Sequence, residues 1–129
     1  MVHQVEILPR YEERLWGKQT ILMHKENAEG IETVTKRIII SAGRGISYQE
    51  HFLRKEVWTI VSGSGEVCIN GEISFISAGD TIVVEAGTRH AIRAGSSNLE
   101  LIEVQIGKEI GEMDTIRFTH DWDYIPLTY

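Results

Sequence analysis

Gln49, His51 and Glu56 fall within one stretch, GRGISYQEHFLRKEVWTIVSG at 43–63, closed by glycines at both ends. A second cluster follows at Gly79, Gly87 and His90. In a strand, alternate side chains share a face, so Gln49 and His51 point the same way. The β-branched and aromatic run EVWTIVS reads as the next strand, with Glu56, Trp58 and Ile60 on one face. A hairpin between the two would bring Glu56 beside His51, and His90 would add a fourth ligand from a separate strand. An imidazole, a carboxylate and an amide oxygen suit zinc, manganese or iron(II) rather than copper(I). A lone His or Glu in a strand is more often a surface or hydrogen-bonded residue. The spaced set Gly, His, Glu, Gly, however, arises by chance on the order of once in a hundred thousand starts. The metal site is the favoured reading.

The rest of the chain must position these groups. With 129 residues, 42% of them hydrophobic and 25% charged, the sequence reads as a single globular domain. Residues 1–32 are weakly patterned and read as an N-terminal arm, with a short helix-like stretch at 11–16 and a strand at 18–23. The run TVTKRIIIS at 33–41 is a strong strand, one face of which carries Val34, Lys36, Ile38 and Ile40. Lys36 is expected to snorkel out at the strand end rather than serve a pocket. Short strands then recur at 67–69, 72–76 and 81–85, around His90 and Ile92, and at 99–107, with Asn70-Gly71 as a hairpin turn. Such spacing with glycine turns predicts an all-β fold, best matched by a jelly-roll barrel over 33–118. The tail at 119–129 is acidic and aromatic, with Trp122, Tyr124 and Tyr129. It is expected to pack across a sheet face or onto a second subunit of a homodimer. His120 has no ligand-type neighbours and is left out of the site.

Net charge of −6 argues against nucleic acid as the main partner. A small phosphorylated ligand needs only two or three local cations or backbone N–H groups, so it stays open. No apolar run is long enough to cross a membrane. Residues 1–6 have no apolar core, so no signal peptide is expected. The single cysteine, Cys68, can form no internal disulfide, and a reducing cytoplasm is the expected compartment.

The 43–63 segment resembles the first cupin motif, Gly-x5-His-x-His-x4-Glu-x6-Gly, read here as Gly43, Gln49, His51, Glu56 and Gly63. Gly79, Gly87 and His90 resemble the second motif, with Glu85 in place of its proline and Ala94 in place of its asparagine. Further matches narrow the likeness: ERLWG at 13–17, KRI at 36–38, Arg54, Glu56-x-Trp, LIEVQIG at 101–107 and E-x-D-x-x-R at 112–117. Together they are similar to the C-terminal cupin domain of type II mannose-6-phosphate isomerases, over residues 12–125. Val57 stands where that family usually has histidine, and strand parity turns it away from the metal. In larger members the domain follows a mannose-1-phosphate guanylyltransferase. That half is absent here, and its activity is expected to be absent too.

The resemblance implies isomerisation of mannose 6-phosphate to fructose 6-phosphate through a cis-enediol. It implies a metal on Gln49, His51, Glu56 and His90, with zinc leading and manganese, iron or cobalt as alternatives. Glu103 is one option for the general base, with an exposed strand carboxylate as the competing reading. Arg54 matches an arginine of the family's site and is the first choice for the phosphate, ahead of Arg89, Arg93 and Lys36. Two other classes stay open. One is a metal-binding cupin that holds a sugar or sugar phosphate without turning it over. The other is an iron(II) dioxygenase, against which Gln49 argues mildly.

Overall fold

The structure, a computed structural model, describes residues 6–111 and 113–125. Within them lie eleven strands: β1 (Arg10–Arg14), β2 (Gly17–Glu26), β3 (Glu32–Ile40), β4 (Gly45–Glu50), β5 (Arg54–Ser62), β6 (Ser64–Ile69), β7 (Glu72–Ser77), β8 (Thr81–Val84), β9 (His90–Ala94), β10 (Leu99–Gly107) and β11 (Ile116–Thr119). They form a six-stranded sheet in the order β1-β2-β3-β10-β5-β8 and a five-stranded sheet in the order β11-β4-β9-β6-β7. All pairs are antiparallel. This is the expected all-β jelly roll, two sheets face to face with inward side chains between them. Among the described residues no helix is long and apolar enough to cross a membrane.

The N-terminal segment differs from the expected arm. Residues 11–16 are not helical: β1 and β2 pair with each other and extend the six-stranded sheet. The reason lies in RYEER, where every side chain is exposed or only half-buried, so this edge strand carries no alternation of apolar residues to read. Further on, the turn at Asn70 and Gly71 is as expected, with φ of 48° and 81° joining β6 to β7.

The expected hairpin between the two ligand-bearing strands is also replaced. β4 pairs with β9 and β11, whereas β5 pairs with β10 and β8, so residues 51–53 arch from one sheet to the other. Asp114 fixes this arch. Its carboxylate accepts the backbone N–H groups of Phe52 at 2.8 Å and Leu53 at 2.9 Å. Gly107, at the end of β10, runs so close to the arch that a Cβ there would overlap the Leu53 carbonyl oxygen.

Ile38, Ile40, Trp58, Ile60, Val67, Ile76, Val84, Ile92, Ala94, Leu99 and Leu101 fill the space between the sheets. Burying each large side chain is worth about 1.5–3 kcal/mol. The tail closes the outer face of the five-stranded sheet. Ile125 and Trp122 pack over Tyr48, Cys68 and Ala91, and the Arg93 guanidinium lies 4.3 Å from the Trp122 ring centre. That is the first of the two expected places for the tail; Tyr129 lies outside the described residues, as do residues 1–5 and Glu112.

Candidate metal centre

Five strands deliver polar side chains to one part of the barrel interior. Across the six-stranded sheet Lys36 stands opposite Glu103, and Glu103 opposite Trp58; in the adjoining row Gln105 faces Glu56. Across the other sheet Gln49 faces His90. The arch brings His51 in from above. His51, Glu56 and His90 are all buried, and one potential ligand atom from each lies within 4.8 Å of the others. His51 Nε2 is 3.1 Å from Glu56 Oε2, and His90 Nε2 is 4.0 Å from Glu56 Oε1.

These residues fit a divalent ion. Two ligands at a tetrahedral angle on an ion bonded at about 2.0–2.2 Å lie about 3.3–3.6 Å apart, a value bracketed by the 3.1 and 4.0 Å contacts, whereas the widest separation, up to 4.8 Å, must close by about an ångström. His90 Nδ1 lies 2.8 Å from the Thr88 carbonyl oxygen. Donation to that oxygen leaves the Nε2 lone pair facing Glu56, the arrangement in which a histidine is oriented for a metal. His51 Nδ1 is buried without a hydrogen-bond partner. Gln49 lines the same cavity; its Nε2 donates to the Ser47 carbonyl at 3.3 Å, leaving Oε1 as the remaining donor atom.

The electrostatics favour the same species. Burial opposes ionisation of Glu56, but the hydrogen bonds from His51 and Glu103 and the charges of His90 and His51 hold its carboxyl well below the usual range. Glu103 moves the other way. Burial, then the Glu56 charge and hydrogen bond, push it well above the usual range, with Lys36 and Gln105 pulling back. The two carboxyl groups are thus coupled, with proton affinity lowered at Glu56 and raised at Glu103. Burial also lowers the His90 pKa, helped by the charges of His51 and Arg54 and opposed by Glu56 and the Thr88 hydrogen bond; the net direction is toward the neutral imidazole that a metal requires.

Of the residues singled out from sequence, Lys36, Gln49, His51, Arg54, Glu56, His90 and Glu103 line one cavity of about 190 Å³. Arg89 does not line it: the guanidinium sits 4.3 Å over the Phe118 ring and 3.6 Å from Glu50. Arg93 likewise lies outside, bound to Glu66 at 2.8 Å. Lys36 faces the cavity instead of snorkelling out, because β3 is flanked on both edges and position 36 is no strand end. Glu103 is buried, not an exposed strand carboxylate, because β10 lies between β3 and β5. Arg54 is buried and committed: Nε donates to Glu56 Oε2 at 2.9 Å and a terminal nitrogen to the Gly111 carbonyl at 2.7 Å. Arg14, Trp16, Gln19, Gln105 and Arg117 also line the cavity and were not foreseen. Arg14 and Trp16 lie in the ERLWG match, Arg117 in E-x-D-x-x-R, and Gln105 in LIEVQIG with the parity of Glu103; Gln19 carried no signal.

Known proteins resemble this chain in sequence and in fold. A family model described as mannose-6-phosphate isomerase C-terminal matches residues 7–120. A mannose-1-phosphate guanylyltransferase of Salmonella montevideo is 36% identical over 107 residues, covering 82% of this chain and 22% of its own length. One from Escherichia coli K12 is 32% identical over 126 residues, covering 92% of this chain and 25% of its own. The chain thus spans a quarter or less of these relatives. Among solved structures, a cupin protein from Bacteroides fragilis superposes with a TM-score of 0.53 at 26% identity, over 66% of this chain and 75% of that one. The capsular polysaccharide assembling protein CapF of Staphylococcus aureus reaches a TM-score of 0.68 at 15% identity, over 84% and 34%, a likeness of fold.

Proposed function

Because the chain belongs to the mannose-6-phosphate isomerase C-terminal family and is a cupin domain, we propose that it is a metal-dependent isomerase interconverting mannose 6-phosphate and fructose 6-phosphate. The observation that supports this best is the placement of a buried His51–Glu56–His90 cluster and a buried Glu103 in one cavity. Gln49, His51, Glu56 and His90 would hold the ion, zinc first and manganese, iron or cobalt as alternatives. When bound, the ion supplies charge stabilisation for the oxygen that becomes negative as the sugar enolises.

The chain's own groups do the remaining work. Aldose–ketose isomerisation moves a proton between C1 and C2 and another between their oxygens. Glu103, with its raised proton affinity, can release a proton to an oxygen and take one back at carbon. Trp58 fixes it in place: Nε1 lies 3.1 Å from Glu56 Oε1 and 3.3 Å from Glu103 Oε1, so one donor registers both carboxyl groups. Arg54 ties Glu56 to the Gly111 backbone and keeps its charge compensated.

A coupled assay of fructose 6-phosphate formation by the metal-loaded protein tests the reading. Activity should vanish on chelation, and Glu103→Gln should lower kcat by about 10²–10⁴-fold with metal content retained. If the loaded protein isomerises no hexose phosphate, the reading passes to a cupin that binds a sugar phosphate without turning it over.

A further inference from the structure

We propose that Lys36, and not Arg54, takes the phosphate of the ligand in this cavity. Only the identity of the sugar rests on the isomerase reading; the phosphate subsite stands on the geometry of the cations.

Four permanent cations line the cavity among the described residues: Arg14, Lys36, Arg54 and Arg117. Arg54 is 6% exposed and anchored through two of its three nitrogens, Nε on Glu56 and Nη1 on the Gly111 carbonyl. Turning it toward a ligand would leave a buried carboxylate without its counter-ion, a costly exchange. Arg14 is bound to Glu12 at 3.0 Å and to the Glu13 carbonyl at 2.9 Å. Arg117 is engaged as well. Lys36 differs. Its half-buried side chain lines the cavity from the middle of β3, and it makes no hydrogen bond or ion pair with any described residue.

A half-buried ammonium with three donors and no hydrogen-bonded acceptor among the described residues, acting on Glu103 through its charge alone, is suited to a compact oxyanion. The position adds selectivity. Lys36 stands across the ladder from Glu103, which in turn stands across from Trp58, so an anion held there is on the same wall as the proton-transfer carboxyl. The Glu56 carboxylate already has Arg54 against it at 2.9 Å and repels an incoming phosphate the less for that. The site would thus select phosphorylated over neutral sugars through one point charge.

Titration of the metal-loaded protein with inorganic phosphate, followed by calorimetry, tests this in the parent, Lys36→Met and Lys36→Arg. Thermal unfolding and metal content confirm that the variants are folded and loaded. Lys36→Met should weaken phosphate by about tenfold or more, and Lys36→Arg should restore most of the loss. Equal affinity in the parent and Lys36→Met overturns the proposal, as does a parent that binds no phosphate. Binding that disappears on chelation but ignores Lys36→Met would put the anion on the metal and overturns it too. A parent that isomerises no hexose phosphate yet binds phosphate through Lys36 would remove the isomerase reading and leave this subsite standing.

Discussion

Along β5 the inward residues run Arg54, Glu56, Trp58 and Ile60; along β10, antiparallel to it, they run Gln105, Glu103, Leu101 and Leu99. The same strands therefore line two interiors. In one half, aliphatic side chains meet across the sheets and are held by burial alone. In the other, each buried polar group is held by specific partners, Glu56 by Arg54, His51 and Trp58, and His90 by Thr88. Trp58 is the boundary, its ring in the apolar cluster and its Nε1 on the carboxyl groups. The difference teaches that the apolar half carries stability. The polar half adds less to stability, since unpaired or imperfectly paired buried charges cost free energy that apolar residues would not, and this marks it as the candidate site.

Substitutions should break the two halves in different ways. The largest effect belongs to the polar half: His51→Ala with His90→Ala should abolish tight metal binding, read by metal analysis after dialysis, while circular dichroism stays all-β. Arg54→Ala comes next. It strips the buried Glu56 of its partner and should cost about 3–5 kcal/mol in chelator. Added divalent metal should recover part of this, because a dication on Glu56 replaces the lost positive charge; denaturant unfolding with and without metal measures both. Leu99→Ala, in the apolar half and away from the cavity, should cost about 2–5 kcal/mol and leave the metal bound per folded chain unchanged. A loss of metal in Leu99→Ala would show that the two halves are not separable.

The smallest effect lies outside both. His24 donates to Glu32 at 2.9 Å and to Glu6 at 2.8 Å, and these hydrogen bonds raise its pKa despite partial burial. A raised folded pKa stabilises fully below the unfolded value of about 6.5 and is lost as pH rises through the folded one. The Tm gap between the parent and His24→Gln should therefore be present in mild acid and shrink in the alkaline direction. A gap that widens with pH would reverse the sign of the assignment.

The clustering of His51, Glu56 and His90 was legible because its signal is local: a histidine, a carboxylate five positions on, and a second histidine after a glycine turn. The apolar half was legible for the same reason, as alternation along 33–41 and 99–107. What could not be read depends on contacts across the chain. The arch at 51–53 is held by Asp114, some sixty residues away, and nothing in QEHFLRKE distinguishes an arch from a hairpin. Arg54 was assigned to a ligand by its position in a motif, whereas its partners are Glu56 and a carbonyl at Gly111. Trp16 and Gln19 reach the cavity from a segment whose first strand has no buried face. Lys36 was set at a strand end that β2 and β10 in fact enclose.

The central claim is that the His51–Glu56–His90 cluster holds a metal on which isomerisation depends. Chelator-stripped protein titrated with zinc, with bound metal and fructose 6-phosphate formation measured on the same samples, tests it most directly. The account predicts that activity rises with bound metal, saturates at one ion per chain and never appears in the His51→Ala, His90→Ala variant. Stripped protein as active as loaded protein, or a variant that binds zinc and turns over like the parent, would contradict it.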